Sequence, residues 1–129
     1  DYFIVPGYEI RDYLLADPQD PSNSHILPSA GDEDEHAAQV INNVRALSTV
    51  AKFLWPVPDK GLSRRITRVR SQTLVITGDK DPIVPITHGA KASCNIKNAE
   101  HLTLRGAGHL AMLEKPNEFV SSVKEFLSL

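Results

Sequence analysis

Residues 73–85 read TLVITGDKDPIVP, a short β-branched run followed at once by glycine, charged residues and prolines. A run of this kind, bounded by turn-forming residues, is typical of a strand that is buried on both faces. A second short run, HLTL at residues 101–104, is followed by RGAGH, and a helical pattern separates the two runs. The order strand, helix, strand with short loops predicts parallel strands covered by helices, which is an α/β fold.

Helices are expected within this unit and also before and after it in the chain. The first lies between the strands, from Pro85 to Ser93, and the last begins at Pro116, where proline suits the first helical turn. Short helices are predicted from Tyr8 to Ala16 and from Gly61 to Ile66. A long helix is predicted between Asp32 and Trp55, with its apolar residues at three- and four-residue steps that indicate one buried face: Val40, Ile41, Val44, Leu47, Ala51 and Leu54.

The composition is that of a globular domain. The chain has 129 residues, of which 41% are hydrophobic and 23% charged. Its formal net charge of −2 and its pI near 6.2 leave no basic field for nucleic acid or an anionic membrane surface. No apolar run approaches the roughly 20 residues that cross a bilayer, and no Cys/His cluster has zinc-ligand spacing. We therefore expect a soluble, cytoplasmic protein without nucleic-acid or membrane partners.

The chain begins at Asp1, and its single methionine is Met112. A primary translation product needs an initiator, so we expect a fragment or a processed chain.

Candidate chemistry follows each of the two strands. Asp79 and Asp81 come after the first strand, and His109 comes after the second. Catalytic groups gather at the carboxyl ends of parallel strands, which lie about 5 Å apart, so a carboxylate there can reach the imidazole and orient it. The simpler alternatives are a turn carboxylate before Pro82 and a surface histidine in a glycine loop. Gly106 and Gly108 are expected to allow positive φ in that loop, as glycine does.

These motifs resemble a known superfamily. GDKDPIVP at residues 78–85, GAGH at 106–109 and LEKP at 113–116 closely resemble the last two strand-loop segments of α/β-hydrolases. LWPVPDKGL at residues 54–62 looks like the passage from lid to core in esterases and C–C bond hydrolases of that superfamily. The resemblance covers roughly residues 53–129. It implies a helical lid remnant at residues 1–60 and the C-terminal part of the α/β-hydrolase core at residues 61–129.

The resemblance also implies roles for individual residues. By similarity, Asp81 matches the acid and His109 the base of a catalytic triad, Asp79 is structural, and neither a metal nor an organic cofactor is needed. Trp55 is expected either to line a substrate pocket or to pack the hinge below the lid, and Leu110 to face that pocket or the core. The implied substrate is a small-molecule ester or a diketone-like acid.

One family feature is missing from the sequence. The nucleophile of these enzymes sits in a Gly-x-Ser-x-Gly elbow, and the nearest approach here, GLSRR at residues 61–65, lacks the second glycine. No oxyanion segment of the His-Gly-Gly type is present either. We therefore expect this chain to supply the acid and the base of a hydrolase and to be inactive alone.

Two alternatives stay open on sequence grounds. The chain can be a non-catalytic assembly module whose exposed sheet edge recruits either a complementary N-terminal chain or a second copy in a homodimer. It can also belong to a dehalogenase-type enzyme of the same fold, in which an aspartate replaces the serine nucleophile. The residue at the missing elbow distinguishes the second alternative from a serine hydrolase.

Overall fold

The computed structural model describes residues 10–26, 33–54 and 61–128. Two parallel strands and six α-helices lie within these ranges. In chain order they are α1 (Ile10–Leu14), α2 (Glu33–Leu54), α3 (Leu62–Arg65), β1 (Thr73–Gly78), α4 (Ile86–Asn95), β2 (Ala99–Leu104), α5 (Ala111–Glu114) and α6 (Pro116–Leu127). Single 3₁₀ turns occur at Pro21–Asn23 and Ile66–Arg68.

The sheet has the expected parallel topology. β1 pairs with β2 so that Val75 lies opposite His101 and Thr77 opposite Thr103. One face of this pair is covered by α4, because Gly89 of that helix lies against the side chains of Thr77 and His101. A methyl group at Gly89 would collide with the Thr77 side chain, so a glycine is needed for this close approach.

The opposite face carries the hydrophobic core. Side chains alternate between the two faces of a strand, and Ile76 and Leu102 point away from α4. They pack, with Phe119 of α6, against the buried residues Leu104, Ala107 and Ala111. The carboxyl ends of both strands and the loops that follow them are thus anchored in one apolar cluster.

A separate N-terminal segment packs beside this cluster. Its apolar residues Ile10, Leu14, Leu15 and Ile26 are buried. The Arg11 guanidinium donates to the carbonyl oxygen of Asn23 at 2.9 Å, and the Asn23 amide donates to the carbonyl oxygen of Asp17 at 3.0 Å. These bonds fold residues 10–26 back on themselves, and the Leu110 N–H, which donates to the carbonyl oxygen of Leu14 at 3.1 Å, joins the segment to the rest of the chain.

Two helix predictions need correction. The first helix runs from Ile10 to Leu14, so Ala16 is not helical, and the residues before Ile10 lie outside the described ranges. The long helix has the predicted extent, but the side chains of its apolar face whose burial is described are not buried: Ile41 is 50% and Val44 54% exposed. The apolar period of a helix indicates which face it can bury, but burial also requires another element that packs on that face. Nothing in the described part of the chain covers these side chains.

Candidate functional site

The loops that follow β1 and β2 are bonded to each other. The Lys80 N–H donates to the carbonyl oxygen of Ala107 at 2.9 Å, and the Asp79 N–H donates to that of Leu104 at 3.2 Å. Gly78 lies directly against the backbone carbonyls of Ala107 and Gly108, where a side chain has no room. The two loops therefore form one rigid unit at the carboxyl edge of the sheet.

This unit brings Asp81 and His109 together. Nδ1 of His109 lies 2.9 Å from Oδ2 of Asp81. The Asp81 side chain is only 9% exposed and the imidazole 36% exposed, so the carboxylate lies inside and the ring lies at the surface. An ionised carboxylate can only accept, so Nδ1 donates to it, and in the neutral imidazole Nε2 then has the lone pair. The expected proximity of the two residues is confirmed; their catalytic roles stay predictions.

The second carboxylate oxygen fixes the orientation of Asp81. Oδ1 accepts the N–H of Ile83 at 2.8 Å and that of Val84 at 2.9 Å, which holds the turn through Pro82. Burial acts to raise the pKa of Asp81, but the hydrogen bonds from the Val84 N–H, the imidazole and the Ile83 N–H outweigh it. The pKa is therefore lowered, and the group is a carboxylate at neutral pH.

Asp79 has a different partner. Its Oδ1 accepts the N–H of Gly106 at 2.6 Å, and the side chain is exposed. The structure thus brings Asp81, and not Asp79, to the imidazole, while Asp79 ties the first loop to the second. The turn-carboxylate alternative for Asp81 also describes part of its geometry, because the same group caps the Ile83 and Val84 amides and contacts His109.

The glycines before His109 serve two different purposes. Gly106 has φ +66°, as expected for a tight loop. The positive φ predicted for Gly108 is wrong, since among the described glycines only Gly61 and Gly106 have a positive φ. Gly108 is needed for space: a Cβ there would lie 2.5 Å from the backbone nitrogen of Ala16. The sequence could not show this contact because the two residues are far apart along the chain.

The two predicted substrate-binding residues fare differently. Trp55 lies outside the described residues. Leu110 is half-buried, and its N–H donates to the carbonyl oxygen of Leu14 at 3.1 Å. Leu110 therefore adjoins the N-terminal segment as well as His109, and its substrate-binding role stays a prediction.

Sequence reasoning missed the role of Glu114. Oε2 of Glu114 accepts the Gly108 N–H at 2.6 Å, and Oε1 accepts the Ala16 N–H at 2.7 Å. Glu114 ends the short helix α5, which was also not predicted. The sequence feature that could have indicated this role is the place of Glu114 in the LEKP motif. Its spacing from His109 puts a carboxylate one helical turn beyond the glycine loop.

In the described ranges, no three His, Cys, Asp or Glu side chains gather as metal ligands. No helix in the same ranges combines the length and the apolar character that a membrane crossing requires.

Three similarities to known proteins bear on the site. A 2-hydroxy-6-oxo-6-phenylhexa-2,4-dienoate hydrolase of Comamonas testosteroni is 33% identical over 72 residues, which are 56% of this chain and 25% of that enzyme. The structure of the meta-cleavage product hydrolase CumD superposes with a TM-score of 0.68 at 17% identity, over 98% of this chain and 48% of CumD. The structure of a bacterial membrane phospholipase A gives 0.70 at 19% identity, over 94% of this chain and 36% of the phospholipase.

These matches cover only part of each relative. The chain spans 25% of the Comamonas hydrolase. The structural neighbours share the α/β-hydrolase fold with this chain. A family model described as TAP-like protein, of the abhydrolase group, matches residues 38–128, which include both Asp81 and His109. The expected fold class is therefore confirmed, and the chain belongs to the TAP-like family of α/β-hydrolases.

Proposed function

We propose that the working enzyme to which this chain belongs cleaves a carboxylic ester or the C–C bond of a diketone-like acid with a Ser-His-Asp triad. Asp81 is the acid of that triad and His109 its base. The contact between His109 Nδ1 and Asp81 Oδ2 at 2.9 Å supports these roles, because it leaves Nε2 able to accept a proton. The 33% identity to the Comamonas hydrolase supports the C–C bond alternative.

The proposed mechanism uses the imidazole twice. His109 Nε2 takes the proton of the attacking hydroxyl, and the buried Asp81 carboxylate stabilises the imidazolium that forms. The imidazolium then returns the proton to the leaving group, which is an alcohol oxygen in an ester and a carbon in a diketone-like acid. Asp81 does not change its own protonation state, since two backbone N–H groups and the imidazole hold it as a carboxylate.

The serine belongs to the part of the fold that the relatives carry beyond the matched region. No Gly-x-Ser-x-Gly elbow occurs in these 129 residues, and alone they are expected to be inactive. We propose that residues 1–60 are lid and residues 61–129 core, and that the enzyme is cytoplasmic. The free edge of β1 would then pair with a strand of the front half of the fold. In the described residues the sheet has two strands, and the β1 residues Thr73 to Thr77 are only half-buried.

The serine can be sought with a fluorophosphonate probe and an intact mass measured under denaturing conditions. A labelled polypeptide that contains this chain or co-purifies with it supports the proposal. His109→Gln should abolish labelling, while His88→Gln, which changes an exposed histidine on α4, should leave it intact. Equal labelling of the His109→Gln protein would contradict the proposed triad, and so would a complete enzyme that contains this chain and takes no label.

A second candidate function is an assembly module without catalysis. The exposed apolar face of α2 and the two-stranded sheet of the described region favour it. Native mass spectrometry distinguishes the two: an unlabelled homodimer supports the module, and a labelled complex with a different polypeptide supports the hydrolase. If the protein takes no probe label and a haloalkane substrate instead alkylates one of its aspartates, the dehalogenase-type alternative is indicated.

A further inference from the structure

Glu114 connects two segments that are far apart in the sequence. Its two carboxylate oxygens accept the Gly108 N–H at 2.6 Å and the Ala16 N–H at 2.7 Å, and the side chain is half-buried. Hydrogen bonds to a carboxylate are about twice as strong as those between neutral groups. A single side chain therefore joins the residue before His109 to the end of the N-terminal segment.

The same two segments also meet through their backbones. The Leu110 N–H donates to the Leu14 carbonyl oxygen at 3.1 Å, and Gly108 approaches the backbone of residues 14–16 so closely that it has no room for a Cβ. Both neighbours of His109 in the chain are thus held by Leu14–Ala16. Within the described part of the chain, the imidazole itself has one hydrogen bond, to Asp81, so its direction also depends on how firmly its loop is held.

We propose that Glu114 is a positioning residue, which holds the His109 loop against Leu14–Ala16 and thereby keeps Nδ1 within hydrogen-bond distance of the Asp81 carboxylate. The inference rests on the proposed function, because the direction of the imidazole matters for catalysis only if His109 is the base. Without the carboxylate, the Gly108 and Ala16 amides lose their acceptor. The loop then keeps its bonds to the loop after β1, but toward the N-terminal segment it keeps only the backbone bond from Leu110 to Leu14. Glu114 acts through the loop, since its oxygens accept the Gly108 and Ala16 N–H groups and the imidazole bonds to Asp81.

Glu114→Gln and Glu114→Ala test this role in the full chain. Glutamine keeps the size but only one accepting oxygen, so one of the two amides loses its partner, whereas alanine removes both bonds. Glu125→Gln is the matched control, because Glu125 is an exposed glutamate on α6. The low-field proton resonance of His109 Nδ1 reports the contact to Asp81, and amide exchange at Gly108 and Ala16 reports the two bonds.

We expect amide exchange at Gly108 to accelerate roughly 10- to 100-fold in Glu114→Ala, the loss of one charge-assisted hydrogen bond. The Nδ1 proton resonance should broaden or disappear in Glu114→Ala, weaken in Glu114→Gln and stay unchanged in Glu125→Gln. If Glu114→Ala does not fold, Glu114→Gln decides the question. An unchanged Nδ1 resonance in a folded Glu114 variant, even one that unfolds at a lower temperature, overturns the positioning role and leaves Glu114 merely structural.

A separate measurement tests the proposed function. Fluorophosphonate labelling of the unmodified protein reports whether a serine hydrolase is present, whereas the His109 resonance needs no activity. Where labelling occurs, a positioning role predicts that its rate falls in Glu114→Gln and is not altered in Glu125→Gln.

Discussion

The imidazole of His109 meets the carboxylate of Asp81 across two loops that are fastened to each other at Gly78. Nδ1 and Oδ2 are 2.9 Å apart, and Gly78 lies against the backbone of Ala107 and Gly108 just below this contact. Backbone packing at the strand ends therefore brings the two loops within reach of each other.

In the working enzyme to which this chain belongs, Asp81→Asn should reduce hydrolysis strongly while the protein stays folded. The asparagine oxygen can still accept the Ile83 and Val84 amides, but the amide nitrogen cannot accept from Nδ1, so the imidazole loses its orientation and the charge that stabilises it. We expect a fall of roughly 10³- to 10⁴-fold in the rate of serine labelling or substrate turnover. Asp79→Asn, which alters only the bond to Gly106, should cost less than about tenfold. Equal losses of activity in the two variants would show that the assignment of Asp81 as the triad acid is wrong.

Gly78→Ala should destabilise the chain more than Gly106→Ala. The new methyl group at position 78 would collide with the carbonyl oxygens of Ala107 and Gly108, which cannot rotate away. We expect a loss of about 2–3 kcal/mol in the free energy of unfolding, as for overpacking in a rigid site. At Gly106 the nearest atom is the flexible Lys115 side chain at 3.8 Å, so only the positive φ opposes alanine, at about 1 kcal/mol. Urea unfolding of both variants measures the difference.

The stability of the chain should decrease in acid because of Asp81. Its folded-state pKa lies below the ordinary aspartate value of 3.8, so its contribution is present above that value and is lost as the pH falls through the lower, folded-state pKa. The free energy of unfolding should decline as the pH falls below about 4, toward the folded-state pKa. Asp81→Asn should flatten this decline. Asp20 also has a lowered pKa, from its hydrogen bonds to Ser22, but it is fully exposed, so Asp20→Asn should leave most of the decline in place.

Val44→Thr should leave the stability of this chain nearly unchanged. Val44 is 54% exposed on the apolar face of α2, and threonine has the same shape with a hydroxyl in place of one methyl group. Surface changes of this kind shift the free energy of unfolding by less than about 0.5 kcal/mol. A larger loss would show that the face is covered in solution, by a second copy or by another polypeptide. Thermal unfolding measures the loss, and native mass spectrometry distinguishes a second copy from a different polypeptide by the mass of the complex.

Much of the core was predictable because its signals are local. The β-branched run of β1 and the proline that starts α6 are features of a few neighbouring residues, and the structure has both elements where expected. The proximity of Asp81 and His109 also followed, since parallel strands bring their carboxyl ends to one edge. The exposure of the α2 face was not predictable, because a helical period says nothing about whether a partner element is present.

The amino-acid sequence alone was enough for the parallel α/β unit and for the identity of the acid and base candidates, since strand propensity, turn residues and motif spacing all act over short distances. Only the tertiary structure could show that Glu114 joins Ala16, 98 residues away, to Gly108 beside the histidine. The same holds for the reason that Gly108 must be glycine. Both depend on where the N-terminal segment packs, and that position results from burial of Leu14 and Leu15 against distant residues, which no local pattern encodes.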